Sequence, residues 1–407
     1  MTRSGFGAGT FRHHSPRRKG VAISSLVQSW LQSKGWRRAL LRWLPTSLRI
    51  AVLVVCLYAL TPAPPRLIPE PQQTVITEHP ELCMHTRLTD EVEDWKIQRS
   101  LEMVREMGAP TIVDFLPWAY IEHAKEVYDW HHPDRIVDLA RVQGLRVIAR
   151  LGIVPAWARP NPRTQPTTQN YLSPDHYADY ARFVGAFAAH FRGKVDAIIA
   201  WNEPNLGVEW GGTVVTPAQY VDFLKQVYTA AHAANPDIIV MGGALAPTLE
   251  PSGSPNGTDD LTFLRGIYQS GAAPYFDALA VHTYGFTSPP DEAPDPGKLN
   301  FRRIELLLDV MRGYGDADKP VYITESGWND HPRWTLAVRP GQRVSYTLDA
   351  LKWVESHYPT VKTLCFWYFR EPTPTFSYPD YYAFVTITFQ VKPIYTAVQT
   401  YALGGTP

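Results

Sequence analysis

The chain has 407 residues, of which 45% are apolar and 12% aromatic, enough for one large domain or two ordinary ones. The formal net charge is zero, but residues 1–69 hold 11 basic and no acidic side chains, which leaves 28 basic and 39 acidic side chains for residues 70–407. An acidic body excludes nucleic acid as an expected partner, because phosphate binding requires a basic surface.

The N-terminal part predicts a targeting or membrane segment. Residues 1–49 form a basic leader expected in the cytoplasm, and residues 50–65 contain no charge. A bilayer span needs about 20 apolar residues and a signal-peptide core about 7–15, so length favours a cleaved signal. The next residues, ALTPAPP, offer no small-x-small cleavage site free of proline, which favours an uncleaved membrane anchor. Both interpretations place the following domain outside the cytoplasm.

A proline-rich stalk is predicted for residues 61–76, because five prolines between Pro62 and Pro71 favour an extended chain. Residues 77–407 then alternate short apolar runs with helical patterns. Eight runs are candidate strands, beginning at Leu82, Thr111, Leu145, Val195, Ile238, Phe276, Pro320 and Val361.

Helix signals separate these strands. Ser173–Pro174 predicts a helix start, followed by an apolar face that ends at Gly193, and Thr216–Pro217 opens the next helix. A short final helix begins at Pro393. Eight strand–helix units of this kind predict a (β/α)8 TIM barrel, in which reacting groups lie at the C-terminal ends of the strands.

The predicted strand ends carry side chains suited to acetal cleavage. They are Asn202 and Glu203 after the fourth strand, His282 and Tyr284 at the sixth, Glu325 and Trp328 at the seventh, and Trp367 at the eighth. Two glutamates on strands 4 and 7 face each other across a barrel mouth. One carboxyl group protonates a leaving group there while the other attacks from the opposite face.

The motifs WNEPN and ITESGW, in this order on such a barrel, resemble those of the clan A retaining glycoside hydrolases. PWAYIE…YDW at residues 117–130 and VPAWA at residues 154–158 are similar to the β-xylosidase-like family 39, with the cellulase-like family 5 close behind. The resemblance covers roughly residues 80–400. It implies a glycosidase acting on an oligo- or polysaccharide with β-linkages, and no cofactor or metal is expected.

Carried over by position, the resemblance implies roles for individual residues. Glu203 is the expected acid/base and Glu325 the expected nucleophile. Asn202 is expected to bind the sugar 2-hydroxyl, and Tyr284 to donate to the nucleophile. Further substrate-binding candidates are His282, Trp367, Trp157 and Trp328, each of which has core packing as its alternative.

One departure from the family pattern opens a second hypothesis. Many clan members carry an arginine on strand 2 beside the nucleophile, whereas this chain has Asp114 there, so Arg87 or Arg150 is the expected substitute. The alternative function is a carbohydrate-binding barrel protein with lost or weak turnover. Both glutamates are present, which favours the enzyme.

Three cysteines are too few for a disulfide framework or a zinc site. Cys83 and Cys365 fall on strands 1 and 8, which a closed barrel must pair. Because a bridge between paired strands is expected to strain the ladder, two free thiols are predicted.

Overall fold

The computed structural model describes residues 46–60, 71–161, 163–165 and 167–406. They belong to two units, residues 1–69 and residues 70–407. In the first unit, helix α1 spans Thr46–Leu60. No helix in the described part of the chain has both the length and the apolar character needed to cross a bilayer. Most of the predicted leader and the first ten residues of the predicted stalk lie outside the described residues, so the anchor and signal-peptide interpretations stay predictions.

The second unit is a closed parallel barrel of eight strands, in which each strand pairs with the next and β8 pairs with β1. The strands are β1 Leu82–His85, β2 Thr111–Phe115, β3 Arg146–Arg150, β4 Ala197–Ile199, β5 Ile239–Leu245, β6 Ala278–Tyr284, β7 Val321–Gly327 and β8 Val361–Phe366. All eight predicted strands are confirmed. Their apolar character follows from burial on both faces, as a parallel sheet covered by helices requires.

Helices cover the outside of the barrel. They are α2 Asp94–Glu106, α3 Trp118–Ile121, α4 His131–Val142, α5 Tyr177–His190, α6 Pro217–Ala234, α7 Asp260–Gln269, α8 Ile304–Gly313, α9 Pro340–His357 and α10 Pro393–Ala402. Thr216 caps α6 as predicted, in a capping box with Gln219. Ser173 makes no side-chain cap, and it precedes a 3-10 turn at Pro174–His176 that leads into α5.

The two larger apolar clusters of the described residues form the core of the barrel. The larger core lies between strands and helices, and the smaller one fills the barrel interior, where Cys83 and Cys365 pack with small side chains such as Ala197 and Ala280. Because both cores are closed by side chains, the open volume for chemistry is left at the ends of the strands.

The prediction of two free thiols is wrong, because Cys83 and Cys365 form a disulfide. The two residues are register partners on β1 and β8, with Cα atoms 4.1 Å apart, so their side chains meet inside the barrel. Ladder pairs continue on both sides of the bridge, at Leu82 with Leu364 and at Met84 with Phe366. The strands therefore stay paired around it.

Candidate active site

The segment AWNEPN at residues 200–205 fixes Glu203 at the barrel mouth. Asn205 is buried and donates to two backbone carbonyls of neighbouring loops, at 2.9 and 3.1 Å. Buried Trp201 donates from its indole nitrogen to the carbonyl of Glu209 at 2.9 Å. Between these anchors, Glu203 has a φ of +42°, a left-handed conformation that costs about 1–3 kcal/mol. The flanking residues therefore hold a strained backbone that aims one carboxyl group.

Glu325 lies within β7 and is only 6% exposed. Arg150 Nη1 donates to its Oε1 at 2.9 Å, and the Tyr284 hydroxyl donates to its Oε2 at 2.8 Å. His85 Nε2 lies 3.7 Å from Oε1. One charged donor and one neutral donor thus contact the two carboxylate oxygens and hold the carboxyl group in place.

His282 joins the two glutamates. A bulge at Thr324 of β7 shifts the register between β6 and β7 and makes His282 the strand partner of Glu325. Its Nδ1 lies 2.8 Å from Glu203 Oε1 and 3.7 Å from Glu325 Oε2. Burial opposes the imidazolium, but the charges of Glu325 and Glu203 outweigh it and raise the pKa of His282.

Two other neighbours of Glu325 remain uncharged near neutral pH. Burial and then the charge of Arg150 hold the pKa of His85 well below its usual range. Burial and then the charge of Glu325 raise the pKa of the Tyr284 hydroxyl well above its usual range. Arg150 therefore supplies a positive charge in direct contact with Glu325, and Tyr284 remains a hydrogen-bond donor.

The carboxyl groups of Glu203 and Glu325 are close neighbours. One oxygen of each carboxyl group and a His282 ring nitrogen all lie within 4.8 Å of one another. A cluster of two carboxylates and an imidazole also matches the ligand types that bind divalent metals. Both carboxyl groups are also hydrogen-bonded to protein side chains, Glu203 to His282 and Glu325 to Tyr284. This arrangement suits proton transfer and nucleophilic attack as well as it suits metal binding.

Two cavities adjoin this pair. The first, here called the carboxylate cavity, has a volume of about 440 Å³ and is lined by Glu203, Glu325, Tyr284 and Trp367 among others. Further aromatic side chains, Phe286, Trp334, Tyr368, Tyr378 and Tyr382, also line it. Aromatic faces of this kind suit the apolar faces of sugar rings.

The second cavity, here called the Arg150 cavity, has a volume of about 300 Å³ and is lined by Arg150, Asn202 and Glu209 among others. Asn202 therefore lies in the adjoining cavity, beside Arg150. Its Oδ1 is buried without a hydrogen-bond partner among the described residues. A buried amide oxygen of this kind is available to a substrate hydroxyl.

Two predicted substrate-binding tryptophans line neither cavity. Trp328 is 1% exposed, donates to the carbonyl of Ser288 at 2.7 Å and packs on Phe301. Its prediction as a substrate contact is wrong because the indole turns into the packing layer. Trp157 donates to the carbonyl of Glu122 at 3.0 Å and packs edge-on against Trp118, so it too is part of the scaffold.

The two candidate arginines have different partners. Arg150 fulfils the expectation of a cation at Glu325. Arg87 instead pairs with Asp90 at 2.7 Å and with Glu371 at 3.1 Å, although it also lines the carboxylate cavity. The strand-2 aspartate, Asp114, accepts hydrogen bonds from the Thr86 hydroxyl and the Leu88 N–H.

Two site residues were missed from the sequence. His85 ends β1 and contacts both Glu325 and the ring of Trp367, whose centroid lies 4.5 Å away. Its place at a strand end was a usable signal. Glu209 lines the Arg150 cavity six residues after Glu203, and burial, then the charge of Glu203, raises its pKa. Nothing in the sequence distinguishes it from a surface glutamate.

Comparison with known proteins supports the fold. No protein-family model and no curated protein matches the chain. Among solved structures, a family 39 glycoside hydrolase from Bacteroides cellulosilyticus WH2 is similar with a TM-score of 0.65 and 21% identity, over 81% of this chain and 65% of that one. This chain thus spans slightly less than two thirds of that protein.

Two further structures share the architecture. A monomeric β-xylosidase from Caulobacter crescentus CB15 has a TM-score of 0.58 and 19% identity, over 81% of this chain and 69% of that chain. A GH5_18 variant from Streptomyces cattleya in complex with Manβ1-4GlcNAc has a TM-score of 0.56 and 16% identity, over 82% and 80%. The fold is the (β/α)8 barrel of these glycoside hydrolases. The predicted TIM barrel is confirmed, and at these identities the likeness carries the fold alone.

Proposed function

We propose that this chain is a retaining glycoside hydrolase that cleaves β-glycosidic bonds in two displacement steps. The observation that carries the proposal is the close approach of Glu203 and Glu325. One carboxyl oxygen of Glu203 lies within 4.8 Å of one carboxyl oxygen of Glu325. Retaining enzymes separate their carboxyl groups by about 5–5.5 Å and inverting enzymes by about 6.5–9.5 Å. The close approach of the two oxygens supports the retaining mechanism, in which no water molecule has to fit between a base and the sugar.

The surroundings of the two glutamates support different roles. Glu325 has Arg150 and Tyr284 on its oxygens, which favours a carboxylate ready to attack the anomeric carbon. Glu203 shares a hydrogen bond of 2.8 Å with His282, a side chain able to exchange a proton with it. We therefore assign Glu325 as nucleophile and Glu203 as acid/base.

In the first step, Glu203 gives a proton to the leaving oxygen while Glu325 attacks the anomeric carbon, forming a glycosyl ester. In the second step, Glu203 takes a proton from a water molecule that attacks the same carbon and releases Glu325. Two inversions retain the β-configuration. Asn202 is proposed to bind the 2-hydroxyl through its unpartnered Oδ1, and Trp367 to contact the sugar ring.

The experiment is an activity screen of the full-length chain on aryl β-glycosides and β-linked polysaccharides. Xylosides and mannosides belong in the panel because similar structures include a β-xylosidase and a complex with Manβ1-4GlcNAc. Proton NMR of the first product identifies its anomer. Release of the β-anomer supports the proposal, and release of the α-anomer shows inversion. Sugar binding without turnover favours the carbohydrate-binding alternative.

We also propose an extracytoplasmic location, with the N-terminal segment as a membrane anchor or a cleaved signal. The Cys83–Cys365 disulfide supports it, since such bonds persist in oxidising compartments. Fractionation of cells expressing the chain separates the two N-terminal alternatives. An anchored chain stays with membranes in alkaline carbonate, whereas a cleaved chain appears in the medium or periplasm at lower mass.

A further inference from the structure

Three potential metal ligands meet at the end of the barrel opposite to Glu203 and Glu325. His79 and Glu81 precede β1, and Glu355 lies in the last turn of α9, just before β8. Since catalytic groups in this fold lie at the C-terminal ends of the strands, the N-terminal end is the place for groups that stabilise the barrel.

The spacing of the three side chains fits a tetrahedral ion. His79 Nδ1 lies 3.4 Å from Glu81 Oε1 and 3.6 Å from Glu355 Oε2, and all three atoms lie within 4.8 Å of one another. Ligands about 2.0–2.2 Å from Zn²⁺ in a tetrahedron are about 3.3–3.6 Å apart. The two edges at His79 match that value.

Two of these atoms are buried without a hydrogen-bond partner in the described part of the chain. His79 Nδ1 and Glu81 Oε1 lie 3.4 Å apart as an ion pair, and neither atom makes a further hydrogen bond among the described residues. Buried polar atoms in proteins are normally well paired, and a cation bound between this nitrogen and this oxygen would pair both atoms. A group that binds both a nitrogen lone pair and carboxylate oxygens is a Lewis-acidic cation.

Neighbouring groups hold the ligands in place. The His79 ring stacks on Tyr401 of α10 with centroids 4.0 Å apart, and the Tyr401 hydroxyl lies 3.4 Å from Glu355 Oε2. Contacts of this kind orient ligands in metal sites. From this geometry we propose that His79, Glu81 and Glu355 bind one divalent transition-metal ion, with Zn²⁺ as the best match.

The role of this ion is structural. It links the segment before β1 to α9, with α10 packed beside it, where the first and last parts of the barrel meet. The Cys83–Cys365 disulfide crosses the same seam between β1 and β8. The proposal does not depend on the glycosidase assignment, because none of its ligands lines either cavity at the barrel mouth.

A metal-free ion pair of His79 with the two carboxylates has the same distances. The test therefore measures metal binding directly. The full-length chain is freed of metal with a chelator, titrated with ZnCl2 by calorimetry, and melted with and without zinc. At 100 times the dissociation constant, zinc should raise the Tm by about 4 °C for a body of this size.

Glu355→Gln is the decisive variant, because the Glu355 side chain is 54% exposed and its loss leaves the core intact. His190→Gln is the matched control, since His190 forms an ordinary pair with Asp134 at 2.7 Å on the surface. Glu325→Gln reports any zinc bound at the catalytic pair. The proposal is supported if the parent chain, His190→Gln and Glu325→Gln bind one equivalent of zinc that Glu355→Gln does not bind. No zinc-dependent rise in Tm, or a rise that Glu355→Gln retains, overturns it.

Discussion

Arg150 and Glu325 are 175 positions apart in the chain, yet Arg150 Nη1 lies 2.9 Å from Glu325 Oε1 across the barrel mouth. Arg150 ends β3, and its guanidinium also covers the ring of Phe115, whose centroid lies 5.0 Å away. The cation that the family pattern implies on strand 2 is supplied here from the neighbouring strand. The absence of a strand-2 arginine is therefore no sign of lost catalysis.

Replacing Arg150 by Ala should lower kcat/KM by about 10–100-fold, the value of one charge-assisted hydrogen bond to a group that reacts. Arg150→Lys should restore part of the activity. Arg87→Ala is the matched control, because Arg87 lines the carboxylate cavity but pairs with Asp90 and Glu371. Steady-state kinetics measure the effect, and an equal loss in both alanine variants would show that Arg150 has no special relation to Glu325.

Replacing Glu325 by Gly should reduce turnover by at least about 10⁴-fold, because no group remains to form the glycosyl ester. Added azide fits the space of the lost carboxylate and should restore part of the rate on aryl β-glycosides. The product should be the α-glycosyl azide, identified by NMR. Glu203→Gly should instead give the β-azide, so exchanged products would mean exchanged roles.

Replacing Tyr284 by Phe removes the donor to Glu325 Oε2 while the ring keeps its packing. The strength of the hydrogen bond from the Tyr284 hydroxyl depends on the charge of Glu325, which changes during the reaction. Loss of this hydrogen bond should therefore lower kcat about 10-fold or more. Tyr228→Phe is the matched control, since Tyr228 donates to Asp277 at 3.1 Å on the outer helix layer. Unchanged kcat in Tyr284→Phe would remove Tyr284 from the mechanism.

The sequence predicts the barrel and the positions of both glutamates because strand periodicity and strand ends are local features. It does not predict which way a side chain at a strand end turns. Trp328 illustrates this point: a Cβ at Gly285 would lie 2.0 Å from the indole, so the bare glycine lets Trp328 pack inward. His85 shows the reverse case, a histidine that no motif marks but that the barrel turns toward Glu325.

Register is the second quantity that sequence patterns leave open. Closure of the barrel implies that β1 and β8 pair, but the disulfide depends on Cys83 and Cys365 being exact partners. A shift by one residue would point the two side chains to opposite faces of the sheet. The bulge between β6 and β7 has the same character, since it makes His282 the strand partner of Glu325 and has no signature in the sequence.

Removing the disulfide by Cys83→Ala with Cys365→Ala should lower the free energy of unfolding by about 2–5 kcal/mol, because the bridge closes a long loop in the unfolded chain. The two cysteines are 282 positions apart. Thiol counting on the denatured, unreduced chain should find one reactive group, Cys56. Three reactive thiols would show that the bridge does not form.

Asp114 gives a stability prediction with a defined pH window. It is fully buried in β2, where Oδ2 accepts hydrogen bonds from the Thr86 hydroxyl at 2.5 Å and from the Leu88 N–H at 3.0 Å, while Oδ1 has no partner among the described residues. Burial raises the pKa of Asp114 to about 6, although the hydrogen bonds from Thr86 and Leu88 partly oppose the shift. In the unfolded chain an aspartate has a pKa of about 3.9.

Between these values the folded protein binds more protons than the unfolded chain, so the contribution of Asp114 to stability falls as pH rises from about 4 to about 6. A tenfold change in proton affinity is worth about 1.4 kcal/mol, which gives a loss of about 3 kcal/mol, complete near pH 7. Asp114→Asn cannot ionise and keeps an oxygen for Thr86 and Leu88. About 1 kcal/mol of this loss has already occurred at pH 4.5, so urea unfolding should show the variant gaining about 2 kcal/mol on the parent chain between pH 4.5 and pH 7. Asp309→Asn, on the exposed surface of α8, should gain nothing. A difference between parent and Asp114→Asn that is the same at both pH values would mean that Asp114 does not titrate in this window.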